Sequence, residues 1–234
     1  MVRQQVFTLA KARARAVNRS ITSKLPPTRL PSFLSQCEID QVLTLKHKHQ
    51  KLGLATSNPR NHWQTHYVSA DGLLKLSCPA IYEKLKSLPS LVNKGLFSEE
   101  EEISSIPNNN NPEMCHQEQL HKECLQDIQV RCAEIHTAKK GGSLNDPGHF
   151  DSGSVVTVDV LLSGKFEGGM MTMSGEEIVF DVGDALIFPS YKYHTVEPIT
   201  KGIRECLVVE FWNGEEKLCN HRCNIAHGDC RDFI

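Results

Sequence analysis

Residues 148–163 read GHFDSGSVVTVDVLLS, and this stretch decides the fold. The run Val155–Leu162 is built from Val and Leu, the residue types that fit a pleated, buried strand. Its two polar members, Thr157 and Asp159, are two positions apart and so share one side of an extended chain. Working outward, the period from Ile128 onward is two. Candidate strands are 128–136, 148–152, 154–163, 166–173, 176–181, 184–189, 193–199 and 203–212. Gly141-Gly142, Gly168-Gly169 and Val182-Gly183-Asp184 punctuate them. About eight short strands at this spacing predict a sandwich or barrel. In the last strand Arg204, Cys206 and Val208 form a face that would line a cavity, and Leu207, Val209 and Phe211 form one suited to packing against helices.

The same region carries chemistry. In an extended chain His149 and Asp151 point to one side and Phe150 to the other, so the first two can bind one ion. His194, opening a strand after Pro189–Tyr193, is the expected third ligand. Two His and one carboxylate leave three positions open on Fe(II). Arg204 follows His194 by ten residues, across Thr200-Lys201-Gly202. That separation predicts adjacent antiparallel strands, with Arg204 deeper in the cavity. A guanidinium there can grip a carboxylate bidentately. Two alternatives stand beside this reading: a barrel with a satisfied inward ion pair, and a metal-binding barrel without catalysis.

With these residues in view, the chain resembles the prolyl 4-hydroxylase and lysyl hydroxylase branch of 2-oxoglutarate/Fe(II) oxygenases. The matching stretches are GHFDSGSVVTVDVLLS (148–163), FEGGMM (166–171), VGDALIFPSYKYH (182–194) and TVEPITKGIRECLVVEFW (195–212). The resemblance implies an α+β fold: a double-stranded β-helix (jelly-roll) with the N-terminal helices packed outside. It implies His149, Asp151 and His194 as catalytic iron ligands and Arg204 as the 2-oxoglutarate anchor. It further implies hydroxylation of an unactivated C–H bond with O2 as oxidant, ascorbate as rescuing reductant, and a protein, peptide or small-molecule substrate, a prolyl side chain before a lysyl one.

Two departures stand out. Cys206 replaces the Ser often found two residues after the anchoring Arg, and residues 128–142 lack the Tyr that commonly contacts the cosubstrate. His136 is then the nearest polar substitute, and Thr157 and Cys206 are candidate contacts to the cosubstrate. Glu210 stands where the nucleic-acid demethylase branch has a second Arg. Two readings of other classes remain, a non-catalytic metal- or dicarboxylate-binding barrel acting as sensor or scaffold and a cupin-like metalloenzyme that uses no oxo-acid.

Around this domain (128–212) the chain divides into a basic segment (1–31), a helical support region (32–127) and a Cys/His-rich tail (213–234). Before Glu38 there are seven basic residues and no acidic one. That segment reads as a disordered tail or an organellar transit peptide of the mitochondrial kind, outside the fold. Ser35 with Glu38 is a capping-box pattern, and Ile39, Val42, Leu43 and Leu45 predict a helix to about Leu52, stopped by Gly53. Further helices are expected over 79–88 and 113–125, flanking a polar loop at 98–112. The net charge of -2 argues against a dedicated nucleic-acid binder. No apolar run of 18 residues exists to span a membrane. Nine cysteines without a secretory signal favour reduced thiols in an intracellular compartment. In the tail, Cys219, Cys223, His227 and Cys230 offer four soft ligands, but their spacing matches no strong zinc pattern, so free thiols or a local disulfide are expected. His47, His49, His62, His66, His116 and His121 are expected to be mostly solvated. The sequence leaves the oligomeric state open.

Overall fold

A computed structural model describes residues 26–51, 56–58, 62–91, 128–228 and 230. The helix expected over 113–125, the loop 98–112 and most of the basic segment lie outside the described residues. The elements are β1 (Thr28–Leu30), α1 (Gln36–Lys51), β2 (Thr56–Asn58), β3 (Trp63–Tyr67), α2 (Leu73–Ser77), α3 (Pro79–Ser87), β4 (Gln129–Lys139) and β5 (Val156–Leu161). They continue with β6 (Phe166–Gly168), β7 (Met171–Met173), β8 (Glu176–Ile178), β9 (Ala185–Pro189), β10 (His194–Val196) and β11 (Ile199–Trp212). An eight-stranded major sheet runs β1-β9-β5-β11-β4-β3-β2, with β6 paired to β11. A three-stranded minor sheet runs β10-β7-β8, and Leu144 bridges to Val196 at its edge. Every strand pair is antiparallel. This is the double-stranded β-helix in α+β form. No helix among the described residues is long and apolar enough to cross a membrane.

The period-two reading explains the layering. Val156, Val158 and Val160 of β5, Ala185 and Ile187 of β9, and Leu207, Val209 and Phe211 of β11 face one way. They pack on Ile39, Val42 and Leu45 of α1 and on Ile81 and Leu85 of α3. Burying each of these larger side chains is worth roughly 1.5–3 kcal/mol. The capping box holds α1: the backbone N–H and hydroxyl of Ser35 both donate to Glu38 Oε2, at 2.9 and 2.8 Å. The opposite faces, with Leu161, Leu186, Phe188, Cys206 and Val208, meet Met171, Met173 and Val196 of the minor sheet. The site lies between the two sheets.

Several boundaries differ from the sequence reading, each for a local reason. The expected strand 166–173 is two strands, because Gly168 and Gly169 adopt φ of +73° and +67° and carry the chain from major to minor sheet. Residues 148–152 form turns rather than a strand. The last strand starts at Ile199, not 203, so Thr200-Lys201-Gly202 lies within it and pairs irregularly with β6. Consequently His194 and Arg204 are not on adjacent strands: β10 pairs with β7 in the minor sheet and β11 with β4 and β5 in the major one. The N-terminal half also supplies strands. β1 joins β9 because Arg29 donates to Asp184 and Asp181 at 2.6 Å each and the Ser32 N–H donates to Asp184 at 2.8 Å. Residues 28–31 therefore belong to the fold.

His47 and His62 are exposed as expected, but His49 and His66 are buried, rings edge to face at 5.5 Å, with no hydrogen-bond partner among the described residues. Burial, aided by His49 and Lys46, pushes the His66 pKa down to about 4. Above the ordinary value of 6.5 neither folded nor unfolded chain is protonated here, and the contribution to stability is complete. As pH falls from there toward 4, the unfolded chain takes up a proton that the folded one refuses, so stability declines. We expect the urea midpoint to drop across that window, and His66→Leu to flatten the slope by roughly half, because burial shifts His49 in the same direction. An unchanged slope in His66→Leu would contradict this assignment.

Candidate metal centre

His149 and Asp151 sit in the turns before β5, not on a strand. Their loop is pinned from three directions. The His149 N–H donates to the Asp146 carbonyl at 2.9 Å, the Asp151 N–H to the Ser190 carbonyl at 2.9 Å, and the His194 N–H to the His149 carbonyl at 3.1 Å. Gly153 completes the turn at φ +90°, and any Cβ there would stand 3.1 Å from the Arg131 guanidinium. The ligand atoms of His149, Asp151 and His194 lie within 4.8 Å of one another. His149 Nε2 is 3.5 Å from Asp151 Oδ1, and His194 Nε2 is 3.9 Å from Asp151 Oδ2. Donors about 2.1 Å from one divalent ion stand roughly 3 Å apart when cis, so this set closes on a metal with a small inward movement. Two imidazoles and a carboxylate are the donor set of a non-haem Fe(II) facial triad, and the residues fit that ion.

Neighbouring groups orient the ligands. His194 Nδ1 is 3.0 Å from the Lys192 carbonyl, which can only accept, so Nδ1 carries the proton and Nε2 turns its lone pair toward Asp151. Thr157 Oγ1 donates to Asp151 Oδ2 at 2.7 Å and lies 2.9 Å from Ser190 Oγ. Burial pushes the Asp151 carboxyl upward, but the hydrogen bond from His149, the charge of Arg222 and the hydrogen bond from Thr157 hold it well below the ordinary carboxylate range. It is therefore ready to bind a cation without first losing a proton.

Arg204 is buried and lines the same cavity as the three ligands, from the opposing sheet. Asp159 also faces this cavity. Its Oδ2 is 3.9 Å from Arg204 Nη2, while Oδ1 has no partner among the described residues. Trp63 and His136 close one end, and His136 Nε2 is 2.6 Å from Glu134 Oε2. Leu144, Met171, Phe188 and Val196 form the apolar wall. Cys206 is buried in the apolar layer between the sheets and does not line the cavity. Thr157 does line it, with its hydroxyl committed to Asp151.

Sequence reasoning missed the charged network behind the triad. Arg222, from the tail, donates through Nε and Nη2 to Glu134 at 2.7 and 3.1 Å, pairs with Glu210 Oε1 at 2.9 Å, and reaches within 3.8 Å of Asp151. Burial alone would raise Glu134, but His136 and Arg222 bring it down to about 2. Arg131 sits at a β-bulge, the extra residue where β11 shifts register between Glu210 and Phe211. It donates to the Ser152 carbonyl (2.6 Å), Ser154 Oγ (3.0 Å), Glu210 (3.2 Å), the Cys223 carbonyl (2.7 Å) and Asn224 Oδ1 (2.7 Å). One side chain thus ties the metal loop to the tail. Cys132, Glu134 and Glu210 also cluster, but both carboxylates are already paired with Arg. The available signal was charge between apolar neighbours in a strand: Arg131 between Val130 and Cys132, Glu134 between Ala133 and Ile135, and Glu210 between Val209 and Phe211.

In the tail, Cys219, His221, Cys223 and Cys230 converge, with ligand atoms within 4.8 Å of one another. His227, expected among them, is exposed and lies 3.7 Å from Glu215. His221 takes its place: its Nε2 lies 3.3 Å from Cys230 Sγ.

No family model matches the chain and no curated protein matches it in sequence. Solved structures do match in fold. A Pseudomonas putida prolyl-4-hydroxylase superposes with TM-score 0.54 at 14% identity, over 84% of this chain and 98% of that one. A 2OG-Fe(II) oxygenase family protein from Burkholderia pseudomallei gives 0.52 at 12%, over 88% and 90%. A Trichoplax adhaerens prolyl hydroxylase, in complex with a hypoxia inducible factor oxygen degradation domain peptide fragment, gives 0.50 at 14%, over 88% and 93%. The chain has the double-stranded β-helix fold of the 2-oxoglutarate/Fe(II) oxygenases.

Proposed function

We propose that this protein is an Fe(II)- and 2-oxoglutarate-dependent dioxygenase that hydroxylates a peptide side chain, prolyl before lysyl. The observation that carries the reading is the convergence of His149, Asp151 and His194 in one cavity with the buried Arg204. Iron bound by this triad supplies the oxidative decarboxylation of 2-oxoglutarate to succinate and CO2 and the insertion of the second oxygen atom into a C–H bond. The protein's own residues supply placement. Thr157 and the Lys192 carbonyl fix the orientation of Asp151 and His194. Arg204 offers its guanidinium to the distal carboxylate of the oxo-acid, and the Leu144, Met171, Phe188 and Val196 walls keep water from the reacting centre.

A peptide substrate is supported by the rim. Phe150, Tyr191 and Tyr193 cluster beside the metal loops, with ring centroids 6.1 and 5.7 Å from Phe150, and Tyr193 is 51% exposed. Aromatic surfaces of this kind accept Pro-containing extended chains. The peptide-bound fold relative has the same class of ligand.

One observation favours the alternative of a non-catalytic barrel: the Asp159 carboxylate stands where a second carboxylate must approach Arg204. The test is succinate formation by Fe(II)-loaded protein given 2-oxoglutarate, O2 and ascorbate, compared with Arg204→Ala and Asp159→Asn. Turnover should be lost in Arg204→Ala. In Asp159→Asn the 2-oxoglutarate concentration for half-maximal rate should fall by roughly tenfold, since one opposing charge within a few ångströms is removed. Absence of turnover in both the wild-type protein and Asp159→Asn would turn the assignment to the binding barrel.

A further inference from the structure

We propose that Cys219, His221, Cys223 and Cys230 bind a structural zinc ion, and that this clasp holds Arg222 over the metal centre. The inference uses the tail alone and does not rest on the oxygenase reading. Three thiols and one imidazole are a recurring closed zinc set, tetrahedral with Zn–S near 2.3 Å and Zn–N near 2.1 Å. Such ligands stand about 3.5–3.8 Å apart, and Cys230 Sγ lies 3.3 Å from His221 Nε2, with all four ligand atoms inside 4.8 Å.

The surroundings are those of a ligand set. His221 Nδ1 is 3.1 Å from Asn220 Oδ1, an acceptor, so Nδ1 carries the proton and Nε2 keeps its lone pair for the sulfurs. The Ile225 N–H donates to Cys223 Sγ at 3.4 Å, so the backbone already supplies one hydrogen bond to that sulfur. Cys223 is fully buried, and neither it nor Cys219 is in a disulfide.

Residues 213–228 contain no strand or helix, and Leu218 and Ile225 are 51% and 38% exposed. The segment is held by polar contacts, such as the Lys217 N–H to the Val130 carbonyl at 3.0 Å and the Glu215 N–H to the Ala226 carbonyl at 2.9 Å, rather than by an apolar core. A metal cross-link fixes such a segment where a core cannot.

The placement gives the clasp a second consequence. Arg222 lies between two ligands and forms the Glu134, Glu210 and Asp151 contacts. The Cys223 carbonyl and the adjacent Asn224 hold Arg131. Zinc in the tail therefore positions both guanidiniums that support the metal loop.

The test is metal content by mass spectrometry of full-length protein purified without chelator, on an Asp151→Ala background so that the triad contributes nothing. We expect about one zinc per chain, and tetrahedral thiolate charge-transfer and visible bands when Co(II) replaces it. Adding Cys223→Ser should lower zinc occupancy more than tenfold. Because Cys223 is buried, Cys230→Ser at the partly exposed end serves as the second variant, with the same expected loss. One zinc per chain persisting in both variants would overturn the site. So would freshly purified protein that lacks zinc, fails to develop the cobalt spectrum, or carries a disulfide among these cysteines.

Discussion

Asp151→Ala should abolish Fe(II) retention and, with it, any turnover of 2-oxoglutarate, by more than about a hundredfold. The carboxylate is the sole anionic ligand of the triad, it is buried, and it receives a hydrogen bond from Thr157 and the charge of Arg222. Removing it leaves two imidazoles 4.8 Å apart between ring centroids and no anionic donor, with the Arg222 guanidinium nearby. Two imidazoles alone hold a divalent ion weakly. Thr157→Val, which leaves the ligand but removes its orienting hydroxyl, should be milder, roughly 10–100-fold in metal affinity. Iron binding by equilibrium dialysis separates the two. Equal retention by Asp151→Ala and wild type would mean that the metal, if any, sits elsewhere.

The second large effect is on stability. Arg131→Met should cost about 3–5 kcal/mol, measured by chemical denaturation. The side chain is buried, donates to five groups, and its loss leaves the fully buried Glu210 with Arg222 and the Ser154 hydroxyl as partners. Burial already pushes the Glu210 carboxyl upward, and removing one of its two guanidinium partners makes its charge costlier. The Ser152 carbonyl and the tail carbonyl of Cys223 would also lose their donor. Arg131→Lys should recover only part, because one ammonium cannot span both the metal loop and the tail. A loss below about 1 kcal/mol would place the network outside the stabilising core.

What could be read from the sequence were features encoded locally. Val156, Val158 and Val160 alternate with Thr157, Asp159 and Leu161, so both faces of β5 were legible before any partner was known. The same holds for β11, where Leu207, Val209 and Phe211 mark the helix side. The convergence of the candidate ligands was legible because His149 and Asp151 are close in sequence, even though the turn that joins them is not the strand their spacing suggested. The route from His194 to Arg204 was misjudged for a related reason: ten residues can turn back in one sheet or cross to another, and only the pairing of β10 with β7 decides it.

Features built from distant segments stayed hidden. Arg222 lies 88 residues from Glu134, and Arg131 lies 93 from Asn224. No window of sequence shows that a tail will fold back on the first long strand. β1 depended on Arg29 meeting an acidic turn 152 residues away. His49 and His66 look polar in sequence and are buried through the packing of α1 on β3. In the tail, choosing His227 over His221 followed spacing along the chain, whereas in the fold His221 lies beside Cys230 and His227 beside Glu215.

The most direct test of the central claim is an anaerobic titration of Fe(II)-loaded protein with 2-oxoglutarate, followed by visible absorbance. If the triad and Arg204 form one site for iron and the oxo-acid, a metal-to-ligand charge-transfer band should grow and saturate at one equivalent. It should be absent in Asp151→Ala and need far more 2-oxoglutarate in Arg204→Ala. Iron that binds tightly to the triad, yet develops no such band at any 2-oxoglutarate concentration, would contradict the account.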